Sequence, residues 1–276
     1  MKYTHELITS RANPLVKWAA SLSDKKGRDD ARSFILEGEK LTYEAIEAGL
    51  PITHIFISED REQKILSKLT PLLDGGKNED VRIITLSKSA FDKISTEKSP
   101  QGVISVSKYL DFFNINDIIY NKDFSILPDE RIIVLCSVRD PLNLGSVIRS
   151  AAAFEADRIV ITSDCADVYN PKTVRSAMGS LFKVKISRVE SLADFISHIQ
   201  ALGRRAFCAE LRAGARSIKE IGLKSSDVIV IGNEGHGIPE EISMLCDGSV
   251  YIPISKKTES LNASVAAAIF MWEQNK

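Results

Sequence analysis

Asp227-Val228-Ile229-Val230-Ile231-Gly232-Asn233-Glu234-Gly235-His236-Gly237-Ile238-Pro239 is the stretch that decides the fold. Val228 to Ile231 form an unbroken β-branched apolar run. That pattern suits a strand buried on both faces, because a half-exposed strand would alternate with polar residues. The three glycines that follow permit positive φ and close backbone approach. Their spacing is G-x-x-G-x-G, which matches neither the dinucleotide fingerprint nor a P-loop. Glu234 in such a turn can serve a ligand or hold the loop amides, and His236 reads as a turn residue.

Working outward, similar short strands are predicted at 131–135, 158–162, 184–186, 205–209 and 250–252. Helices are predicted at 144–154, 192–202 and 261–272. Short β-branched strands separated by helices imply a mostly parallel sheet covered on both faces. Ligands of such sheets bind beyond the carboxyl ends of the strands. The loops after Leu135, Ala209, Ile231 and Ile252 are therefore the places for a site. Earlier in the chain, strands are predicted at 33–36, 53–58, 81–86 and 102–106, and helices at 14–22, 39–48, 63–73 and 87–94. These make a smaller α/β sandwich over residues 1–108. Between them, 109–130 is irregular and rich in Asn and acids, as a linker is. Residues 131–276 form the second domain.

The 276 residues suffice for two modest cores. A net charge of -1, a hydrophobic fraction of 44% and a charged fraction of 26% are ordinary for a globular chain. A nucleic-acid binder is often basic overall, and this chain is not. Its basic residues gather locally: Lys17, Lys25, Lys26, Arg28 and Arg32 crowd the first 32 positions. The four cysteines, Cys136, Cys165, Cys208 and Cys246, are too scattered for a disulfide framework or a zinc site, so no metal is expected. Cys136 and Cys208 end apolar runs and read as buried thiols. The first ten residues hold no apolar signal-peptide core, and no run reaches membrane-spanning length. A reducing cytoplasm and no membrane partner are the expectations.

Two further segments stand at strand ends. Asp140-Pro141-Leu142-Asn143-Leu144-Gly145-Ser146-Val147-Ile148-Arg149 follows one strand and opens a helix. Asn143 reads as its N-cap. Arg149 lies off the apolar stripe, one turn after Gly145, and can fold back toward the helix entrance, where anions are favoured. The other segment runs from Tyr251 through Ile252, Pro253, Ile254, Ser255, Lys256, Lys257, Thr258, Glu259, Ser260, Leu261 and Asn262 to Ala268. It joins a strand to a helix rich in small residues, and Ser260 and Asn262 both suit its start.

In order, spacing and context, these three segments resemble the three motifs of the SpoU (TrmH-like) RNA methyltransferases of the SPOUT class. Asn170-Pro171-Lys172 with Arg175-Ser176-Ala177-Met178-Gly179 is similar to the family's intervening segment. Ser10, Asn13-Pro14, Val16-Lys17 and Phe34 to Leu41 are similar to its ribosomal-protein-like substrate-binding domain. The resemblance implies an α/β domain with a deep trefoil knot, S-adenosylmethionine as cofactor, RNA as substrate and a homodimer through the C-terminal domain. It implies a cofactor pocket lined by Gly232, Ile252 and Leu261, with Leu211, Asn233, Glu234 and Ile254 close by. It assigns the reaction, methylation of a ribose 2′-hydroxyl, to Arg149 with Asn143, Glu234, Ser260 and Asn262. It makes Lys17, Lys25, Lys26, Arg28, Arg32 and Arg149 candidates for RNA contact.

An Arg acting as a base is chemically awkward, since guanidinium keeps its proton in proteins. Arg149 is better suited to grip an RNA phosphate and to stabilise a developing alkoxide, leaving a phosphate or water to take the proton. Large-subunit ribosomal RNA is the expected substrate, with transfer RNA as the alternative. Two other classes stay open: a nucleotide enzyme on an ordinary doubly wound sheet, which the missing phosphate fingerprints disfavour, and a non-catalytic RNA-binding module, which the intact polar positions disfavour.

Overall fold

The computed structural model describes residues 2–73, 81–110, 126 and 129–276. Most of the expected linker lies outside them. In chain order, the first half runs β1 (Lys2–Ile8), α1 (Pro14–Ser21), α2 (Lys25–Ala31), β2 (Ser33–Glu37), α3 (Glu39–Glu47) and β3 (Ile52–Ser58). It continues with α4 (Glu62–Leu73), β4 (Arg82–Leu86), α5 (Lys88–Ile94) and β5 (Val103–Lys108). The second half opens with β6 (Ile132–Leu135), α6 (Pro141–Ala153), β7 (Arg158–Thr162) and α7 (Pro171–Ala177). Then come β8 (Lys185–Val189), α8 (Leu192–Ala201), β9 (Ala206–Ala209) and β10 (Arg216–Ser217). The chain closes with β11 (Val228–Ile231), α9 (Glu240–Leu245), β12 (Gly248–Tyr251) and α10 (Ala263–Gln274).

These elements form two compact units. The first has a five-stranded sheet in the order β1-β4-β3-β5-β2. On one face, Val16 and Ala19 of α1, its capping Leu22, and Ala90, Phe91 and Ile94 of α5 pack with Phe56, Ile84, Ile104 and Val106. Ser105 points the other way, where its hydroxyl meets Thr42 of α3 at 3.1 Å, so α3 covers the opposite face. The first unit also takes in Asp167–Phe182 from the later half of the chain. Tyr169 of that segment stacks on Tyr109 at 4.0 Å, meets the tilted Phe34 ring at 4.6 Å, and its hydroxyl accepts the Leu110 N–H at 2.8 Å.

The second unit is a seven-stranded sheet in the order β10-β12-β9-β11-β6-β7-β8, and every pairing in it is parallel. The Val228–Ile231 strand sits between β9 and β6, and all four of its residues are buried, as its unbroken apolar run requires. One face buries Val228, Val230, Ile132 and Val134 under Phe195, Ile196 and Ile199 of α8 and Ile242 of α9. On the other face α6 packs on β7 and on α10, which also touches β11.

The helix of the first motif begins at Pro141, three residues earlier than expected. Asp140, not Asn143, is its cap: the Asp140 carboxylate accepts the Leu142 N–H at 2.9 Å, and Pro141 is pre-set for the first turn. Asn143 is thereby inside the helix with its amide free for other use. Among elements not foreseen, β1, α2, α7, β10 and α9 are each short or polar. All four cysteines are free, and Cys136, Cys165 and Cys208 are buried. Burial pushes the Cys136 thiol up to about 11, which removes it from nucleophilic chemistry. Among the described residues, no helix is long and apolar enough to cross a membrane, and no cluster of three or more His, Cys, Asp or Glu could hold a metal.

Candidate active site

Parallel strands β6, β11, β9 and β12 lie side by side, so the loops that leave their carboxyl ends converge. Each of the three sequence segments starts from one of these ends. Their side chains meet at Asn143. Its Nδ2 donates to Glu234 Oε1 of the glycine-rich turn. Its Oδ1 accepts from Asn262 Nδ2 at 2.9 Å. Asn262 Oδ1 in turn caps α10, accepting the N–H of Ser264 at 2.9 Å and of Val265 at 3.4 Å. A carboxylate is thus linked through two amides to the amino end of a helix, each donor facing an acceptor. Such a chain polarises in one direction and strengthens its members.

The turn itself is built on Asn233. Its backbone N–H and C=O pair with the Gly237 C=O and N–H at 3.1 and 2.9 Å. Its side-chain Nδ2 donates to the Ser137 carbonyl at 2.9 Å, and Oδ1 accepts the Gly235 N–H at 2.8 Å. The glycine-rich turn and the loop after β6 are therefore fastened together. Gly232 serves this closure. A Cβ there would stand 2.6 Å from the Gly237 carbonyl carbon and 2.7 Å from its oxygen, so the missing side chain makes room for the turn's own backbone. Gly232→Ala should cost about 1–3 kcal/mol, as overpacking does, and weaken cofactor binding by displacing Asn233 and Glu234. Urea denaturation with calorimetric titration checks both effects.

Of the other candidates, Leu211 is 79% exposed and Ile254 is 38% exposed, while Ile252 and Leu261 are half-buried. They follow β9 and β12, neighbours in the sheet. Leu211 and Ile254 thus leave apolar surface uncovered at the carboxyl edge of the parallel sheet, where ligands of such sheets bind. Ser260 is exposed, and its carbonyl accepts the Thr258 hydroxyl at 3.2 Å. Arg149 is exposed on α6, four residues beyond the buried Gly145, with no ion pair among the described residues. The structure therefore joins Asn143, Glu234 and Asn262 directly, and does not join Arg149 or Ser260 to them.

Residues 130–272 match the model of the SpoU rRNA Methylase family. The chain belongs to that family. Residues 13–105 match the MRM3-like substrate binding domain. Among SpoU relatives, the 23S rRNA (guanosine(2553)-2′-O)-methyltransferase RlmP of Bacillus subtilis is 29% identical over 96% of this chain and 97% of its own. The 23S rRNA (uridine(2479)-2′-O)-methyltransferase of Streptomyces viridochromogenes is 30% identical over 96% of this chain and 90% of its own. The crystal structure of an AdoMet-bound rRNA methyltransferase from Sinorhizobium meliloti superposes with a TM-score of 0.81 at 28% identity, covering 98% of this chain and 97% of that one.

In this SpoU-family chain, Lys17, Lys25, Lys26 and Arg32 are exposed on the first unit. Arg32 lies over the Tyr109 ring, 4.9 Å from its centroid. Arg28 departs from the expectation of RNA contact. It is 1% exposed, pairs with Asp167 at 2.5 Å, and donates to the carbonyls of Leu22 and Ser23 at 2.9 and 2.7 Å. A guanidinium so enclosed fastens the protein and has no face for a phosphate. The signal in the sequence was Gly27: a Cβ there would lie 2.1 Å from the Ser21 carbonyl oxygen, so α2 approaches α1 closely and its next residue turns inward. Arg28→Ala should cost about 3 kcal/mol or more, leaving Asp167 without its partner. RNA affinity per folded molecule should stay near wild type, which filter binding on the folded fraction measures.

Proposed function

We propose that this protein transfers the methyl group of S-adenosylmethionine to a ribose 2′-hydroxyl of large-subunit ribosomal RNA. The observation that carries this reading is the bonded chain Glu234–Asn143–Asn262, which unites the three family segments at the carboxyl edge of the sheet. S-adenosylmethionine supplies an electrophilic methyl on sulfur. Gly232, Asn233, Ile252, Ile254, Leu261 and Leu211 form its cradle. Glu234, Asn143 and Asn262 fix the walls of the site, so that the incoming ribose is held in line with the methyl. Arg149, with no ion pair among the described residues, grips the RNA phosphate and stabilises negative charge as it grows on the 2′-oxygen. Ser260 hydrogen-bonds the nucleotide at the same edge.

The division of labour follows the two family matches: the first domain, residues 1–108 with Lys17, Lys25, Lys26 and Arg32, binds RNA, and residues 131–276 carry the chemistry. This second domain carries a deep trefoil knot near the C-terminus, and the active form is a cytoplasmic homodimer. Support for a dimer comes from α6 and α10, which pack together and leave Leu142, Val265 and Trp272 uncovered. The two relatives named above differ in the nucleotide they modify, so the shared scaffold sets the chemistry and the target is chosen elsewhere. Ribosomal RNA from a strain lacking the protein should lose one alkali-resistant linkage found in the parent. An unchanged pattern in 23S RNA, with loss of a linkage in transfer RNA, would move the substrate to transfer RNA.

A further inference from the structure

Apart from its surface cations, the first unit has a cleft. β3 and β4 are neighbours and parallel. The chain leaves β3 through α4, which packs with α3, on the face where Thr42 of α3 meets Ser105. It leaves β4 through α5, which packs with α1 on the opposite face. Adjacent parallel strands whose connections depart to opposite faces open a crevice at their carboxyl ends, the place where ligands of such sheets bind. A cavity of about 420 Å³ lies there. Ser58 at the end of β3, Arg61 before α4, and Lys88 and Phe91 of α5 line it, and residues 97–100 with Gly102 close its side. That wall is fixed in place. The Ser58 N–H donates to the Gly102 carbonyl at 2.9 Å, and the Glu37 carboxylate accepts the N–H and hydroxyl of Thr96 at 2.9 and 2.7 Å. Gly102, at φ +86°, leaves the room that Arg61 fills: a Cβ there would stand 2.5 Å from Arg61 Cγ.

We propose that this cleft seats one unpaired nucleotide of the substrate RNA, a proposal that rests on the RNA-methyltransferase reading above. Its size is that of sites for small molecules. A concave seat admits a nucleotide swung out of a helix, and not one stacked and paired within it. Its charge favours an anion. Three acids line it: Asp60, Asp92 and Glu97. Asp60 accepts the Ser58 hydroxyl at 2.5 Å and pairs with Arg61 at 3.4 Å, and Glu97 pairs with Arg175. Asp92 is left to offset two cations of the same lining, Lys88 and Lys98, neither of which has an ion pair among the described residues. The two ammoniums and the exposed Ser99 hydroxyl are donors for a phosphate or a base edge. Phe91 is 1% exposed and gives no stacking platform, so recognition rests on hydrogen bonds and charge. None of Lys17, Lys25, Lys26 and Arg32 lines the cleft. It therefore adds a contact with a defined shape to their diffuse attraction, and shape selects where charge alone does not.

Filter binding of the full-length protein to 23S ribosomal RNA from a strain lacking it tests this. Ser99→Trp fills the cleft without changing charge. Ser67→Trp places the same ring on the exposed side of α4, outside the cleft. Ser99→Trp should weaken RNA binding about 10-fold or more and keep its calorimetric affinity for S-adenosylmethionine, while Ser67→Trp binds RNA like wild type. The double variant Lys88→Gln, Lys98→Gln changes only exposed side chains, so it tests the cleft even if Ser99→Trp fails to fold. It should bind RNA more weakly and lower the slope of log affinity against log salt by about 1 to 2. Wild-type affinity in Ser99→Trp, equal weakening by Ser67→Trp, or a double variant with wild-type affinity and salt slope would each overturn the proposal. A wild-type protein that neither binds nor methylates 23S RNA would instead overturn the underlying function, so the two failures are distinct.

Discussion

Replacing Arg149 with alanine should slow methyl transfer about 100-fold or more, the scale of losing one stabiliser of transition-state charge, with S-adenosylmethionine affinity nearly unchanged. Arg149 is exposed on α6, and helical side chains lean toward the amino end. That lean favours a path back past Gly145, four residues earlier, toward the first turn of α6, which holds Asn143. The proposed cofactor cradle is built from the loops after β9, β11 and β12, to which Arg149 contributes nothing. Arg149→Lys should recover only part of the rate, because an ammonium cannot reproduce the bidentate fork. Calorimetry and single-turnover kinetics on each variant separate the two roles. An Arg149→Ala protein that loses the cofactor yet keeps the chemical step would move Arg149 to the cofactor side.

Glu130→Ala should cost the second unit about 3–5 kcal/mol, the range for removing one partner of a buried ion pair. Arg158 Nε and Nη2 each reach Glu130 Oε1 at 2.8 Å, and Nη1 reaches Ser187 Oγ at 2.7 Å. The two side chains are only 6% and 1% exposed. Deleting the carboxylate takes the charge partner from a buried guanidinium that cannot neutralise itself and that keeps its bond to Ser187. Arg204 is held at the same place, donating to the Glu130 carbonyl at 2.5 Å and the Ser226 carbonyl at 2.8 Å. These charges lie near the amino ends of the strands, away from the loops of the candidate site. Urea denaturation should show the whole loss as a lowered midpoint, with cofactor affinity of the folded protein intact. An unchanged midpoint would mean that the pair contributes nothing net to stability.

The parallel sheet was legible because buried strands announce themselves. Val228 to Ile231 and Ile132 to Leu135 have no polar residue to place on a solvent face, and helices of the right length separate such runs. The three site segments were legible for a related reason: Gly, Pro, Asn and Ser at strand ends mark turns whose backbones are special. Pairwise detail was not legible. Asn143 looked like a cap because amide side chains favour caps, yet Asp140 stands two residues before Leu142 and Pro141 pre-sets the first turn, so the helix starts earlier and frees Asn143 for Glu234 and Asn262. Arg28 looked like one more surface cation because its neighbours Lys25 and Lys26 are. Its burial depends on Asp167, far away in sequence, and no local pattern encodes that partner. For the same reason the placing of Asp167–Phe182 in the first unit was invisible: the Tyr169 stack needs Tyr109 and Phe34, each of which alone reads as an ordinary core or strand-end aromatic.

The most direct test of the account is methylation by the intact protein in vitro. Purified protein is incubated with methyl-tritiated S-adenosylmethionine and 23S ribosomal RNA from a strain lacking it, and the RNA is digested with alkali. A 2′-O-methyl group blocks cleavage of the adjoining linkage. The account predicts label confined to alkali-resistant dinucleotides. Label recovered in mononucleotides, as base methylation would give, or RNA left unlabelled while the protein binds S-adenosylmethionine, would contradict it.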